Sequence, residues 1–113
     1  GIHDPRGGRL MGYRYTVRAS FEDPRVACEW IEWLAGGHCR EVIEGGAIRA
    51  EVFRHEGDDP TVEVRYDFPD RAAFEAYERR HAPRLREEGL LRFPVERGIA
   101  YQRSCGEVVH SED

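Results

Sequence analysis

The sequence predicts an α+β domain with the element order βαββαβ, and three observations carry that prediction. Tyr13–Phe21 and Thr61–Phe68 alternate apolar and polar residues without a break, the two-residue period of a half-buried strand. Trp30, Trp33 and Leu34 fall at i, i+3 and i+4, sharing one helical face that has to be buried. Asp23-Pro24 and Pro69-Asp70 each precede a helical stripe, and a short carboxylate side chain suits an N-cap.

Residues 1–10, GIHDPRGGRL, show no periodicity and read as an expression remnant or a flexible arm ahead of Met11. In the first strand Tyr13, Tyr15, Val17, Ala19 and Phe21 point one way, with Arg14, Thr16, Arg18 and Ser20 opposite. The first helix carries Val26, Trp30, Trp33, Leu34 and Gly37 inward, and Gly36-Gly37 should break or kink it. A short helical piece follows at roughly His38–Glu44, and Gly45-Gly46 can supply a left-handed cap. The second strand is expected over Ala47–His55, with Ile48, Ala50 and Val52 on one face and Arg49, Glu51 and Phe53 on the other.

The acidic run Glu56–Pro60 closes a hairpin into the third strand, where Val62, Val64, Tyr66 and Phe68 oppose Thr61, Glu63, Arg65 and Asp67. The second helix places Phe74, Tyr77, His81 and Leu85 on one stripe. Pro83 should kink it near Ala82, leaving a short turn or helix to about Gly89. Leu90, Leu91 and Phe93 would then plug the core, and Ile99–Ser104 would form the last strand before a polar tail, residues 106–113. With right-handed crossovers this order makes a four-stranded antiparallel sheet, 4-1-3-2, with both helices on one face. That is the ferredoxin-like fold, contained in a single domain over residues 11–105.

Composition narrows the function. A net charge of −5 opposes non-specific nucleic-acid binding, which needs a basic face. No run approaches a membrane span and no signal-peptide core is visible, so the expected location is the cytoplasm. All 17 basic residues are arginine, which favours planar Arg–carboxylate pairing, although a GC-rich genome produces the same bias. Three cysteines without a C-x-x-C spacing read as reduced thiols rather than disulfides or a zinc site, and neither metal nor cofactor is expected. Phosphate loops, nucleophile elbows and dinucleotide fingerprints are all missing from the sequence.

The helix-distal face of the sheet carries Arg14, Thr16 and Arg18 from the first strand and Glu63, Arg65 and Asp67 from the third. Two accounts fit it. Such a face can be solvated, as antiparallel sheets allow, or it can stack on the same face of a second copy, with the charges paired or hydrated to offset burial.

His38 and His81 are the candidate catalytic residues. Each sits where a helix breaks, so the two can meet at one end of the helix–sheet cleft, where imidazole titrates near neutral pH. The plainer account has each ring capping its broken helix through a free carbonyl. Cys39 follows His38 directly, but adjacent helical side chains do not face one another, and a small buried hydrophobe is the simplest role for it. Trp33, Tyr77, Tyr15 and Tyr66 serve the core at these spacings and are also the candidate ligand-binding residues of an aromatic pocket.

Two blocks also resemble a known family. W-x-x-W-L-x-x-x-H followed by E-V-I and a glycine falls on Trp30, Trp33, Leu34, His38, Glu41, Val42, Ile43 and Gly45. Y-x-x-x-H-A-P-x-L-R-x-E falls on Tyr77, His81, Ala82, Pro83, Leu85, Arg86 and Glu88. Over roughly residues 13–104 the chain resembles a small bacterial family of domains of unknown function, itself similar to the dimeric α/β-barrel superfamily. Cys39 departs from it, since members usually carry an aliphatic residue there. The resemblance implies a homodimer of sheets stacked through Arg14, Thr16, Arg18, Glu63, Arg65 and Asp67, forming a dimeric α/β barrel. It brings no catalytic residue.

Three functional classes follow. The first is a domain binding a small organic molecule between helices and sheet. The second, by fold analogy, is a cofactor-independent monooxygenase or isomerase of the dimeric α/β-barrel type. The third is a structural or protein-interaction module without a ligand. A cavity of roughly 300 Å³ or more would favour the first two, and a solid interior the third.

Overall fold

In chain order the elements are β1 (Tyr13–Phe21), α1 (Pro24–Trp33), a π-helical segment (Leu34–His38), α2 (Cys39–Glu44), β2 (Arg49–Arg54), β3 (Thr61–Phe68), α3 (Arg71–Arg80), α4 (Ala82–Arg92), a 3-10 turn (Val95–Arg97) and β4 (Ile99–Glu107). The structure, a computed structural model, describes residues 12–113. The arm expected at residues 1–10 lies outside the described residues.

The sheet order is β2-β3-β1-β4 with every neighbour antiparallel, which is the expected 4-1-3-2 order. β1 and β3 occupy the centre, in register from Tyr13 opposite Phe68 to Ser20 opposite Thr61. Their inward residues, Tyr13 to Phe21 and Val62 to Phe68 taken alternately, are all buried. Val26, Trp30 and Leu34 from the first helical arm and Phe74, Tyr77 and Leu85 from the second are buried against them, so both arms cover one sheet face. The helix starts follow from their caps. The Asp23 carboxylate accepts the Arg25 N–H at 2.9 Å, and that of Asp70 accepts the Ala73 N–H at 2.8 Å; each such bond is worth about 1 kcal/mol.

The glycine pair kinks the first arm without ending it. Helical turns continue through the wider π segment, and Gly37 alone leaves helical angles, at φ 163° and ψ −31°. Gly46 adopts φ 130°, the left-handed geometry expected after α2, where a side chain would be strained.

Five expectations need correction. β2 begins at Arg49, not Ala47, and Ile48 is 64% exposed while Ala47 is buried. The Ile48 N–H donates to the Asp67 carbonyl at 2.7 Å, which holds the residue at the sheet margin, beyond the cover of the helices. The second arm breaks at His81 (φ −124°, ψ −38°), so Pro83 falls in the first turn of α4, where its missing N–H costs nothing. α4 therefore runs to Arg92 rather than stopping near Gly89. That carries Leu91, six residues beyond buried Leu85, round to the solvent side, and Leu90 and Leu91 are 44% and 77% exposed. Of the expected plug only Phe93 is buried. β4 runs on to Glu107, because Gly106 and Glu107 still pair with Arg14 and Tyr13.

Candidate functional site

A cavity of about 50 Å³, partly open to solvent, lies between the inner sheet face and the helices. Tyr15 of β1, Tyr66 of β3, and Tyr101 and Arg103 of β4 form its floor, because strand alternation turns these residues inward. Tyr77 of α3 and Arg86 of α4 line it from above, while Trp33 and His38 contribute from the kinked arm. Gly89 is the reason the indole fits. A Cβ there would stand 3.1 Å from Trp33 Cη2.

The polar groups form one network with gaps. The Tyr15 hydroxyl accepts from Arg86 Nη2 at 3.3 Å and from Arg103 Nε at 3.1 Å. Arg86 Nη2 also donates to Glu78. Burial alone would lower the pKa of the Arg86 guanidinium, but its hydrogen bonds to Glu78 and Tyr15 outweigh that and hold it above the usual arginine value. Arg86 Nε, the Tyr66 hydroxyl and His38 Nδ1 are buried without a hydrogen-bond partner, and all three residues line the cavity. The Tyr66 phenol has its pKa driven far up by burial and then by its Cys39 neighbour. That thiol is a weak partner, and no hydrogen bond of ordinary geometry satisfies the hydroxyl. Tyr77 is raised in the same way, first by burial and then by Tyr15. A buried polar group left unpaired costs about 1–3 kcal/mol, so three around one cavity call for an occupant.

The two histidines part company here. His38 stacks on Trp33, and burial pushes its pKa down to about 4 against the opposing pull of Glu41 and Glu88. Its ring is neutral at pH 7. His81 lies outside the cavity lining; it stacks over Tyr77 at 6.4 Å between ring centroids and packs beside Gly45. The expected meeting of His38 and His81 is therefore not formed, because the break at His81 turns its ring toward the end of α2. Neither side chain makes a capping hydrogen bond to the helix it precedes, and His38 Nδ1 has no hydrogen-bond partner. Cys39 is half-buried, and burial raises its thiol pKa, the opposite of an activated nucleophile.

Trp33, Tyr77, Tyr15 and Tyr66 all border the cavity. Sequence reasoning missed Arg86 and Arg103 as site residues. A usable signal existed for Arg103, which shares the inward phase of Ile99 and Tyr101 along β4. On the outer sheet face Arg14 pairs with Asp67 at 2.8 Å, and Glu63 meets Arg65 at 3.1 Å, His55 at 3.0 Å and Arg18 at 3.8 Å. Burial alone would raise the Glu63 carboxyl, but the His55 and Arg65 hydrogen bonds hold it below the usual carboxylate range. Thr16 lies half-buried between Arg14 and Arg18, and Arg65 also covers the Phe53 ring at 4.8 Å. Among the described residues no three His, Cys, Asp or Glu side chains gather as metal ligands, and no helix is long and apolar enough to cross a membrane.

Comparison with known proteins places this geometry. No curated protein matches the chain in sequence. A dimeric ferredoxin-like protein from an uncultured marine organism is similar in structure, with a TM-score of 0.66 at 19% identity over 91% of this chain and 100% of its own. A monooxygenase from the ActVA-Orf6 gene of Streptomyces coelicolor, solved with Nanaomycin D, aligns with a TM-score of 0.63 at 18% identity over 97% and 96%. SnoaB, a cofactor-independent oxygenase from Streptomyces nogalater, aligns with a TM-score of 0.61 at 14% identity over 90% and 97%. At such identities these likenesses establish the ferredoxin-like fold and nothing further. Residues 13–103 match DUF4286, a domain of unknown function, and on that match over most of its length the chain belongs to the DUF4286 family.

Proposed function

We propose that this domain binds a small organic molecule in the cavity between sheet and helices, as a homodimer paired through its outer sheet faces. One observation carries the binding reading. The three residues with buried, unpartnered polar atoms all line a single, partly open cavity whose walls are otherwise largely aromatic and aliphatic, the pairing of apolar wall and few polar groups that ligand sites use. At about 50 Å³ the cavity falls short of the roughly 300 Å³ expected of a ready-made ligand site and has room for a few waters, so a ligand enters only by displacing a wall. A Cβ at Gly36 or Gly37 in the kinked arm would meet no atom within 4 Å, so the backbone that carries Trp33 and His38 has free space beside it.

The dimer reading rests on the ladder of paired charges across Arg14, Arg18, Glu63, Arg65 and Asp67. A similar protein of this fold is itself described as dimeric. Prepaired charges lower the cost of covering such a face.

A second reading, a cofactor-independent monooxygenase or isomerase, draws on the two oxygenases of similar fold and on the neutral imidazole of His38 in the cavity wall. A base with a pKa of about 4 accepts protons weakly at pH 7, and fold kinship does not transfer chemistry. Binding is the better supported role.

The test is a fragment screen by two-dimensional NMR on the intact protein. Trp30 and Trp33 both line the cavity, so genuine ligands shift both indole N–H signals, and Gly89→Leu, whose side chain would displace the Trp33 indole, changes the Trp33 shift. Fragments that perturb only surface signals, or none that bind at all, would leave the structural-module reading in its place.

A further inference from the structure

Resting on that binding reading, we infer that the ligand is an aromatic organic anion whose ionised oxygen is held by Arg103, Arg86 and the Tyr15 hydroxyl. Charge leads to this class. Two guanidinium groups, Arg86 and Arg103, line the cavity and no carboxylate does; Glu78 pairs with Arg86 from outside the lining. Arg103 has no carboxylate partner among the described residues. Its Nε donates to the Tyr15 hydroxyl at 3.1 Å, and its guanidinium carbon sits 5.6 Å from the Tyr101 ring centre. The ionised side chains of the cavity lining are therefore both cations, in a chain whose net charge is −5.

Hydrogen-bond capacity points the same way. A phenol has two acceptor lone pairs and one proton. The Tyr15 oxygen already accepts from two guanidinium groups, so its own proton is directed elsewhere. Tyr66 is 1% exposed with its hydroxyl unsatisfied, and Arg86 Nε is a buried N–H without an acceptor. Tyr15 O–H, Tyr66 O–H and Arg86 Nε–H are thus three donors seeking acceptors. An uncharged apolar guest would leave all three unpaired, whereas an ionised oxygen accepts several hydrogen bonds at once and offsets the surplus cation. The remaining wall is apolar, with the Trp33 and Tyr77 rings beside Leu34 and Leu85, and the ring faces suit a planar guest. Carboxylates and phenolates share this chemistry.

Calorimetric titration of the intact protein decides the matter. The probes are benzoate, 1-naphthoate and 4-nitrophenolate, set against the uncharged benzamide and 1-naphthamide. At least one anion is expected to bind about tenfold more tightly than its uncharged counterpart, and Arg103→Gln should erase that preference. Arg103 is exposed and holds no carboxylate, so its variant is expected to fold where Arg86→Gln risks failing. Arg79→Gln, on the exposed face of α3, serves as the control and should change nothing. A saturable 1-naphthoate site with 4-nitrophenolate silent assigns a carboxylate, and the reverse assigns a phenolate. Amides binding as tightly as anions, or an unchanged anion preference in Arg103→Gln, would overturn the inference while leaving the binding reading intact. If neither class binds, both fall.

Discussion

The imidazole of His38 stacks on the indole of Trp33, with ring centroids 4.1 Å apart and planes inclined by 20°. This contact buries a titratable ring without giving Nδ1 a partner, and it makes stability depend on pH. In the unfolded chain His38 takes up its proton near pH 6.5, whereas burial delays this to about pH 4 in the folded protein. Between those values the unfolded state binds a proton that the folded state refuses. Stability is therefore complete above pH 6.5, falls as pH drops toward 4, and levels off below, with a total loss of up to about 3 kcal/mol. His38→Phe keeps the stack and removes the titration. Denaturant melts at pH 7 and pH 4 should show the variant losing less stability than the parent, and equal losses would refute the assignment.

Tyr66→Phe distinguishes a functional hydroxyl from a structural one. The hydroxyl is buried and unpaired, so removing it should leave the melting temperature unchanged or raise it, by up to about 1 kcal/mol in stability. Anion affinity should fall in the same variant. A marked loss of stability would mean that the hydroxyl already has a structural partner.

Gly45→Ala tests the packing beneath His81. A Cβ at Gly45 would approach Tyr77 Cδ1 to 3.0 Å and the His81 ring to 3.1 Å, so one of the rings must move. The expected cost is about 1–3 kcal/mol. In a His81→Ala background part of that cost should return, since the two sites are in contact. Simple additivity in the double-mutant cycle would show that His81 is not what Gly45 accommodates.

Charge reversal tests the dimer. Arg65→Glu replaces a cation beside Glu63 with a second anion and removes the cover on Phe53, so it should weaken association. Arg79→Glu, on the exposed helix face, should not. Sedimentation of the parent should report about twice the 13.1 kDa chain mass, and a parent that sediments as a monomer at micromolar concentration would end the proposal.

Local patterns were legible in this sequence because they are written in adjacent residues. The limits of β1 and β3 fall where the alternation predicts, and Asp23 and Asp70 cap where their helices begin. The aromatic candidates Trp33, Tyr77, Tyr15 and Tyr66 were visible as inward positions, because a strand or helix period alone decides which way they face. Only tertiary structure decided that Arg103 and Arg86 meet at the Tyr15 hydroxyl, across 88 and 71 residues of chain. It also decided that His38 enters the cavity while His81 turns away, and that Ile48, Leu90 and Leu91 stay exposed. Periodicity specifies the direction of a side chain, but burial and partnership depend on what other elements lay over it, and that is settled by long-range packing.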